Sequence, residues 1–390
     1  MLRWGLYSLR NLWARRVTTA LTVVGLGLVV FVLLAVLMLA HGLERTLGKT
    51  GDPENVIILR KGALSEIGSS LSREEIRAVA AQPDVRLTAD GRPLAVAEVG
   101  LQLTLRKGQG GSLTSVTLRG TAPEALAVRP AIRLIQGRLW KPGTTEIVVG
   151  ASIAKQFSDA RVDRVVHFGN RAWTVVGVFE AGGSGFDSEV WGDAEQFLAT
   201  FHRTTFSSMT LRLAQPATLP AFKDRIERDP RFKFSVKREP EYYEGKAEGL
   251  AKMIRVTGLF LIVVFSVGAV LGATMTMSAS VAQRTTEIGT LRTIGFTRMD
   301  ILQAFLLESM ALGAIAGLLG VAAAVGLQSM TISTMNFDTG TELVFGFHLS
   351  GEMIAIALVF AMLMSIVGGL VPATRAARLV IVQALGERTF

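Results

Sequence analysis

Four stretches of the chain stay apolar for the length of a membrane crossing, and a long polar-apolar alternating segment separates the first from the second. Val17 to Ala40 holds 24 residues without a charge. At about 1.5 Å per residue such a helix reaches about 36 Å, enough to cross a bilayer's hydrocarbon. A cleavable signal peptide would have an apolar region of about 7–15 residues. Met38-Leu39-Ala40 also lacks the small residue at −3, so an uncleaved span is expected. Met253 to Met277, Ile301 to Met330 and Met353 to Val371 are the other three, the last expected to stop at Pro372. Glu244 to Lys252 reads as helical and runs straight into the second span, which predicts one continuous helix. Ahead of the first span, Leu2, Leu6, Leu9 and Trp13 share a helical face, predicting an amphipathic helix over residues 1–16 that lies among the inner headgroups.

Gly42 to Lys252 has the pattern of a mixed α/β domain. Val56 to Leu59 reads as a strand. Ser72-Arg73-Glu74-Glu75 is a capping box opening a helix that ends before Pro83. Ser112 to Arg119 alternates like a strand, as do the two parts of Val165 to Val178 on either side of the turn Gly169-Asn170. Strands at Phe206 to Leu213 and Phe232 to Lys237 flank a helix at Leu219 to Arg228, suggesting a βαβ-like layer. Turns are frequent and helices scarce from Gly91 to Trp140, read as a mainly β subdomain inserted in that layer.

Composition agrees with lipid contact: 390 residues are 49% hydrophobic, and the mean hydropathy is +0.41. The formal charge of +9 is concentrated beside the spans. Arg3, Arg10, Arg15 and Arg16, then Arg284, Arg292 and Arg298, then Arg375, Arg378 and Arg388 face only Glu287, Asp300 and Glu387 in the same segments. By the positive-inside rule this places the N-terminus, the 278–302 loop and the tail in the cytoplasm and the large domain outside, rather than pointing to nucleic acid. The chain has no Cys, which excludes disulfides and thiolate chemistry. Its four His (41, 167, 202, 348) have no zinc-ligand spacing. Gly48-Lys49-Thr50 ends like a P-loop, but Leu43 stands where its first Gly is needed and a span precedes it. Gly182-Gly183-Ser184-Gly185 fails as a nucleophile elbow and is read as a flexible loop.

The polar stretch between the second and third spans carries the densest pattern. In EIGTLRTIG, Ile288, Leu291 and Ile294 recur at three-residue spacing, predicting a short helix with one apolar stripe, ended by Gly295 as the C′ residue. A separate protein could grip such a helix to move the spans. Gly268 and Gly272, then Gly313, Gly317 and Gly320, put small residues on span faces, for packing either within one chain or between two. Glu308, one to two turns into the third span, is expected to pair or reach the interface rather than relay protons.

Arg284, Glu287, Ile288, Gly289, Leu291, Arg292 and Gly295 closely resemble the R-x-x-E-I-G-x-L-R-x-x-G coupling helix of the FtsX-like, MacB-type family of ABC transporter permeases. Arg10-Asn11-Leu12 with Arg15-Arg16, and Gly369 to Leu385, are also similar to that family, except that Ile381 stands where its closing motif has a second proline. The resemblance implies an α-helical membrane protein with four transmembrane helices and a large extracytoplasmic α+β domain, a βαβ-like porter layer carrying the inserted β subdomain. Its expected divisions are the interfacial helix 1–16, first span 17–41, outer domain 42–252, second span 253–277, coupling loop 278–300, third span 301–330, external loop 331–350, fourth span 351–372 and tail 373–390. It implies a homodimer in the bacterial inner membrane with two copies of a separate ABC ATPase that binds ATP-Mg. The chain itself would hold no cofactor, metal or catalytic residue, and would work with a periplasmic adaptor (membrane fusion protein). ATP-driven motion would pass to the outer domain, as mechanotransmission. Extraction of a lipoprotein, control of a cell-wall hydrolase, and a membrane sensor are the alternatives. An intramembrane enzyme lacks paired catalytic residues in the spans.

Overall fold

The computed structural model describes residues 16–106, 113–157, 159–335 and 342–379. The amphipathic helix expected at the N-terminus lies outside them apart from Arg16, as does the tail motif around Ile381. In chain order the elements are α1 (Arg16–Gly48), β1 (Asn55–Arg60), α2 (Arg73–Ala80), β2 (Ala95–Arg106), β3 (Leu113–Thr121), α3 (Ala125–Val128), β4 (Arg133–Gly137), β5 (Glu146–Gly150) and α4 (Ala151–Gln156). They continue with β6 (Val165–Phe168), β7 (Arg171–Glu180), β8 (Glu189–Asp193), α5 (Ala194–Thr200), β9 (Ser208–Arg212), α6 (Leu219–Arg228) and β10 (Phe234–Arg238). The last are α7 (Glu239–Gln283), α8 (Thr285–Thr293), α9 (Arg298–Leu327), β11 (Thr331–Met335), β12 (Glu342–Gly346) and α10 (Gly351–Arg378). The chain divides into a helical unit (Met1–His41, Lys252–Met330, Gly346–Phe390) and a sheet unit (Gly42–Ala251, Thr331–Phe345).

In the helical unit α1, α7, α9 and α10 are long and apolar enough to cross a membrane. Thr297 and Asp300 form a capping box that starts α9. Small residues set how closely its neighbours approach. A Cβ on Gly313 would lie 2.6 Å from Ser365 Cβ, one on Gly317 would lie 3.1 Å from Ala361 Cβ, and one on Gly320 would lie 2.7 Å from Val30 Cβ. These three glycines therefore pack α9 against α10 and α1. Gly268 and Gly272 on α7 have nothing within 4 Å of such an atom among the described residues, so packing among those residues does not use them.

Pro372 does not end the fourth long helix: it is buried inside α10, which continues to Arg378. A helix proline removes the N–H that would bond the carbonyl four residues back. That carbonyl, on Gly368, instead accepts the Thr274 hydroxyl of α7 at 2.9 Å, so the donor missing at Pro372 does not leave this acceptor orphaned in an apolar setting.

In the sheet unit β10-β1-β9-β2 are neighbours, each antiparallel to the next. With α2 between β1 and β2, and α6 between β9 and β10, this is two interleaved split βαβ units, the ferredoxin-like arrangement. The Ser72 capping box starts α2. Val56 and Ile58 pack with Val79, Phe222 and Ile226 on one face of β1, while Ile57 and Leu59 enter a second core on the other. The insertion extends further than the Gly91–Trp140 composition suggests. β2 leaves β9 after Glu98 and pairs with β3 from Val99 to Arg106, and the sheet goes on through β8, β5 and β7 to its edge at β4; the chain re-enters the first part only at β9. Gly169 and Asn170, both at positive φ (56° and 58°), make the tight β6–β7 turn, and Phe168 stacks on Trp173 at 4.9 Å beside it. Residues 331–346, expected as a loop, contain β11 and β12, which pair as a two-stranded sheet.

Candidate functional site

α8 follows α7 after a break at Arg284, whose backbone (φ −109°, ψ 14°) departs from the helix. Its C-terminus is closed by the two bonds of a Schellman motif: Phe296 N–H to Leu291 O at 3.2 Å and Gly295 N–H to Arg292 O at 3.3 Å. Gly295 takes the required left-handed conformation, φ +110°.

The apolar residues of α8 do not form one offered stripe. Each three-residue step rotates about 60° short of a full turn, so Ile294 lies about 120° from Ile288. Ile288 is buried and Leu291 partly buried against a core containing Val23, Met277, Phe305 and Ala373, and Gly289 is buried with them. Ile294 is 72% exposed, and Thr286, Glu287, Thr290 and Thr293 are exposed too. Inner residues therefore seat the helix, and an outer rim of Glu287, Thr290 and Ile294 is left for contact. Arg292 is half-buried, and its Nε has no hydrogen-bond partner among the described residues.

Arg284 is the pin of this arrangement. Its guanidinium lies 3.0 Å from the buried Glu308 carboxylate of α9, 3.7 Å from Glu287, and over the Phe305 ring. Glu308 therefore pairs, as expected of an ionisable group at that depth, and the pair ties the start of α8 to α9.

A second constellation, in the sheet unit, escaped sequence reasoning. Arg119 on β3 donates to Glu189 of β8 at 2.7 Å and 2.9 Å, to Glu66 at 2.9 Å and 3.2 Å, to Glu98 of β2 at 3.2 Å, and to the Tyr243 hydroxyl at 3.3 Å. Arg129, just past α3, donates to Glu98 at 2.6 Å and 2.8 Å, to Glu239 at 2.7 Å, and to Thr210 at 3.0 Å. All six charged groups are buried. The Phe186 ring lies beneath both guanidiniums, 5.3 Å from that of Arg119 and 4.9 Å from that of Arg129. Burial works against the charged form of Glu98, but Arg129 and Arg119 outweigh it and hold its carboxyl down at about 2. At Glu189 burial prevails over Arg119 and pushes the carboxyl up.

The glycine-rich loop beside this cluster is held in place. Asp187 accepts the N–H of Ala181 at 2.6 Å and of Gly183 at 2.7 Å, and the Gly185 N–H donates to the Thr50 hydroxyl at 2.8 Å. Thr50 is thereby a structural acceptor.

Residues 19–229 match the family described as MacB-like periplasmic core domain, and residues 259–381 match FtsX-like permease C-terminal. The chain is 26% identical over 304 residues to macrolide export ATP-binding/permease protein MacB 1 of Aeromonas hydrophila, covering 73% of this chain and 45% of that protein. It is 23% identical over 408 residues to the MacB of Bdellovibrio bacteriovorus (96% and 60%), and 25% identical over 249 residues to the uncharacterized ABC transporter permease YknZ of Bacillus subtilis (61% and 60%). Among solved structures, the periplasmic region of MacB from Actinobacillus actinomycetemcomitans aligns with TM-score 0.38 at 14% identity, over 53% of this chain and 94% of that one. The chain spans 45% to 60% of the length of these curated relatives. With four apolar helices, a mixed α/β domain and a periplasmic-core match over more than half its length, the chain belongs to the MacB-type, FtsX-like family of ABC transporter permeases.

Proposed function

We propose that this chain is the membrane subunit of a bacterial inner-membrane ABC assembly that converts ATP hydrolysis by a separate ATPase into movement of its own periplasmic domain. The termini and α8 face the cytoplasm, two copies form a homodimer, and each copy seats one ATPase under the Glu287–Thr290–Ile294 rim. ATP-Mg is held by the ATPase, and this chain contributes no catalytic group. A push on α8 reaches α9 through the Arg284–Glu308 pair and α7 through the short break at Arg284. α7 is one helix from Glu239 to Gln283, a length suited to carrying displacement outward. The output drives export with a periplasmic adaptor.

The observation that supports this reading best is the division of α8 into a buried seat and an exposed rim next to a buried ion pair. A ligand-sensing receptor has no need of such a rim. The test is to purify the chain with its associated proteins and measure ATP hydrolysis in nanodiscs, with and without the double substitution Glu287→Arg, Ile294→Asp. An ABC ATPase that copurifies with the wild type and is lost at least tenfold from the variant is expected. Undiminished association, or a histidine kinase in the ATPase's place, would refute the proposal. Leu291 is unsuitable for this test because it packs within the helical unit.

A further inference from the structure

We infer that the buried Arg119–Arg129 network is a register clamp that fixes the first two turns of α7 to the sheet, so that the domain follows that helix. The inference rests on the reading of the chain as a transmitter of motion, and it assigns that task to particular residues. Three network members belong to α7. Glu239 binds Arg129 and also accepts Asn55 Nδ2 at 2.8 Å and the Asp52 N–H at 3.0 Å. Tyr242 accepts the Glu66 N–H at 3.1 Å, and the Tyr243 hydroxyl accepts from Arg119. The remaining members come from both parts of the sheet unit: Asn55 and Thr210 from the ferredoxin-like strands, Glu66 from the segment between β1 and α2, Glu98 from the shared strand β2, and Arg119, Arg129 and Glu189 from the insertion.

The backbone is shaped to admit Glu239. Gly51 has φ +93°, and a Cβ there would lie 2.6 Å from Glu239 Cγ, so only glycine lets that carboxylate reach the slot. Beyond Tyr243 the network gives way to a more open stretch: Glu244, Gly245, Glu248 and Gly249 are exposed, Lys246 lies over the Tyr242 ring, and Ala251 is buried. The hold on the helix is thus concentrated at its start.

Paired charges are a poor choice if cohesion is their sole purpose, since well-packed apolar groups of similar volume commonly stabilise as much or more. What they add is intolerance of sliding. A shift of α7 by one residue, about 1.5 Å, would take Glu239 from Arg129, Asn55 and the Asp52 amide together and Tyr243 from Arg119. Charge would then remain unpaired in an apolar core. An apolar contact would accept the same shift with little change.

The absence of cysteine makes the experiment direct. Spin labels at Glu248→Cys on α7 and Glu74→Cys on α2, both exposed positions, report the distance between helix and sheet in the full chain in nanodiscs. The apolar exchange Glu239→Leu with Arg129→Met is expected to leave a folded chain whose distance distribution is at least twofold wider, while Glu239→Gln, which keeps shape and part of the hydrogen bonding, widens it less. If the double variant does not fold, Glu239→Gln alone decides, a widened distribution supporting the clamp. A distribution as narrow as the wild type's in the folded apolar variant would overturn it and make the network a space-filling feature. No ATPase is present, so the result stands or falls separately from the ATPase association described above.

Discussion

Two guanidiniums converge on Glu98, and this gives the residue a distinct signature in pH. Its carboxyl is held at about 2 in the folded chain, below the ordinary 4.5. Its contribution to stability is therefore complete above pH 4.5 and is lost as the pH falls towards 2. Glu189, pushed up, has the opposite sign: it favours the fold below its ordinary value, and that advantage is lost as the pH rises through its raised value. Thermal melting of the chain between pH 6 and pH 2 is expected to show the acid-side loss, and Glu98→Gln to flatten it while costing about 3–5 kcal/mol near neutrality by leaving guanidinium charge unmatched. An unchanged acid slope in that variant would show that other carboxylates set it. None of this was legible in the sequence. Glu98, Arg129 and Glu239 are brought together across separations of 31 and 110 residues, and each by itself looks like an ordinary surface charge. Arg284 was legible because its motif is local, but its partner Glu308 is 24 residues away and pairs only once the chain turns back at α8.

Features that depend on a few neighbouring residues were read directly from sequence: the Ser72 capping box, the Gly169-Asn170 turn and the Gly295 helix stop. Features that depend on a neighbour elsewhere were not. The spacing G-x-x-x-G is identical at Gly268–Gly272 and Gly313–Gly317, yet among the described residues only the second pair meets another helix. Pro372 reads as a stop because its compensating donor, Thr274, lies on a different helix. The glycine contrast gives a prediction at this scale. Gly313→Leu is expected to destabilise the helical unit by about 1–3 kcal/mol through overpacking, whereas Gly268→Leu leaves melting unchanged. If the open α7 face joins two copies, Gly268→Leu also lowers self-association in bilayers, measured by single-molecule photobleaching. Retained dimers would assign that face to lipid.

For the whole molecule the apolar runs, the long segment between the first two and the excess of Arg beside them were sufficient to expect four membrane-length helices and a mixed domain. They were not sufficient for the reach of the insertion, because β2 carries no break in its pattern where it changes partners. Orientation is tested with single cysteines in the cysteine-free chain. Leu64→Cys, at a position 86% exposed in the sheet unit, is expected to react with an impermeant maleimide added outside spheroplasts, and Ile294→Cys only after lysis. The reverse pattern would invert the proposed topology. The continuity of β2 has a consequence for any motion the domain undergoes. A single strand is laced to β9 up to Glu98 and to β3 from Val99, with no linker between the two ladders. The insertion has no hinge there on which to open like a jaw. If the domain is moved as proposed, a protein bound to it would feel the sheet tilt or translate across this junction without opening, and would have to recognise where it stands rather than how wide it gapes.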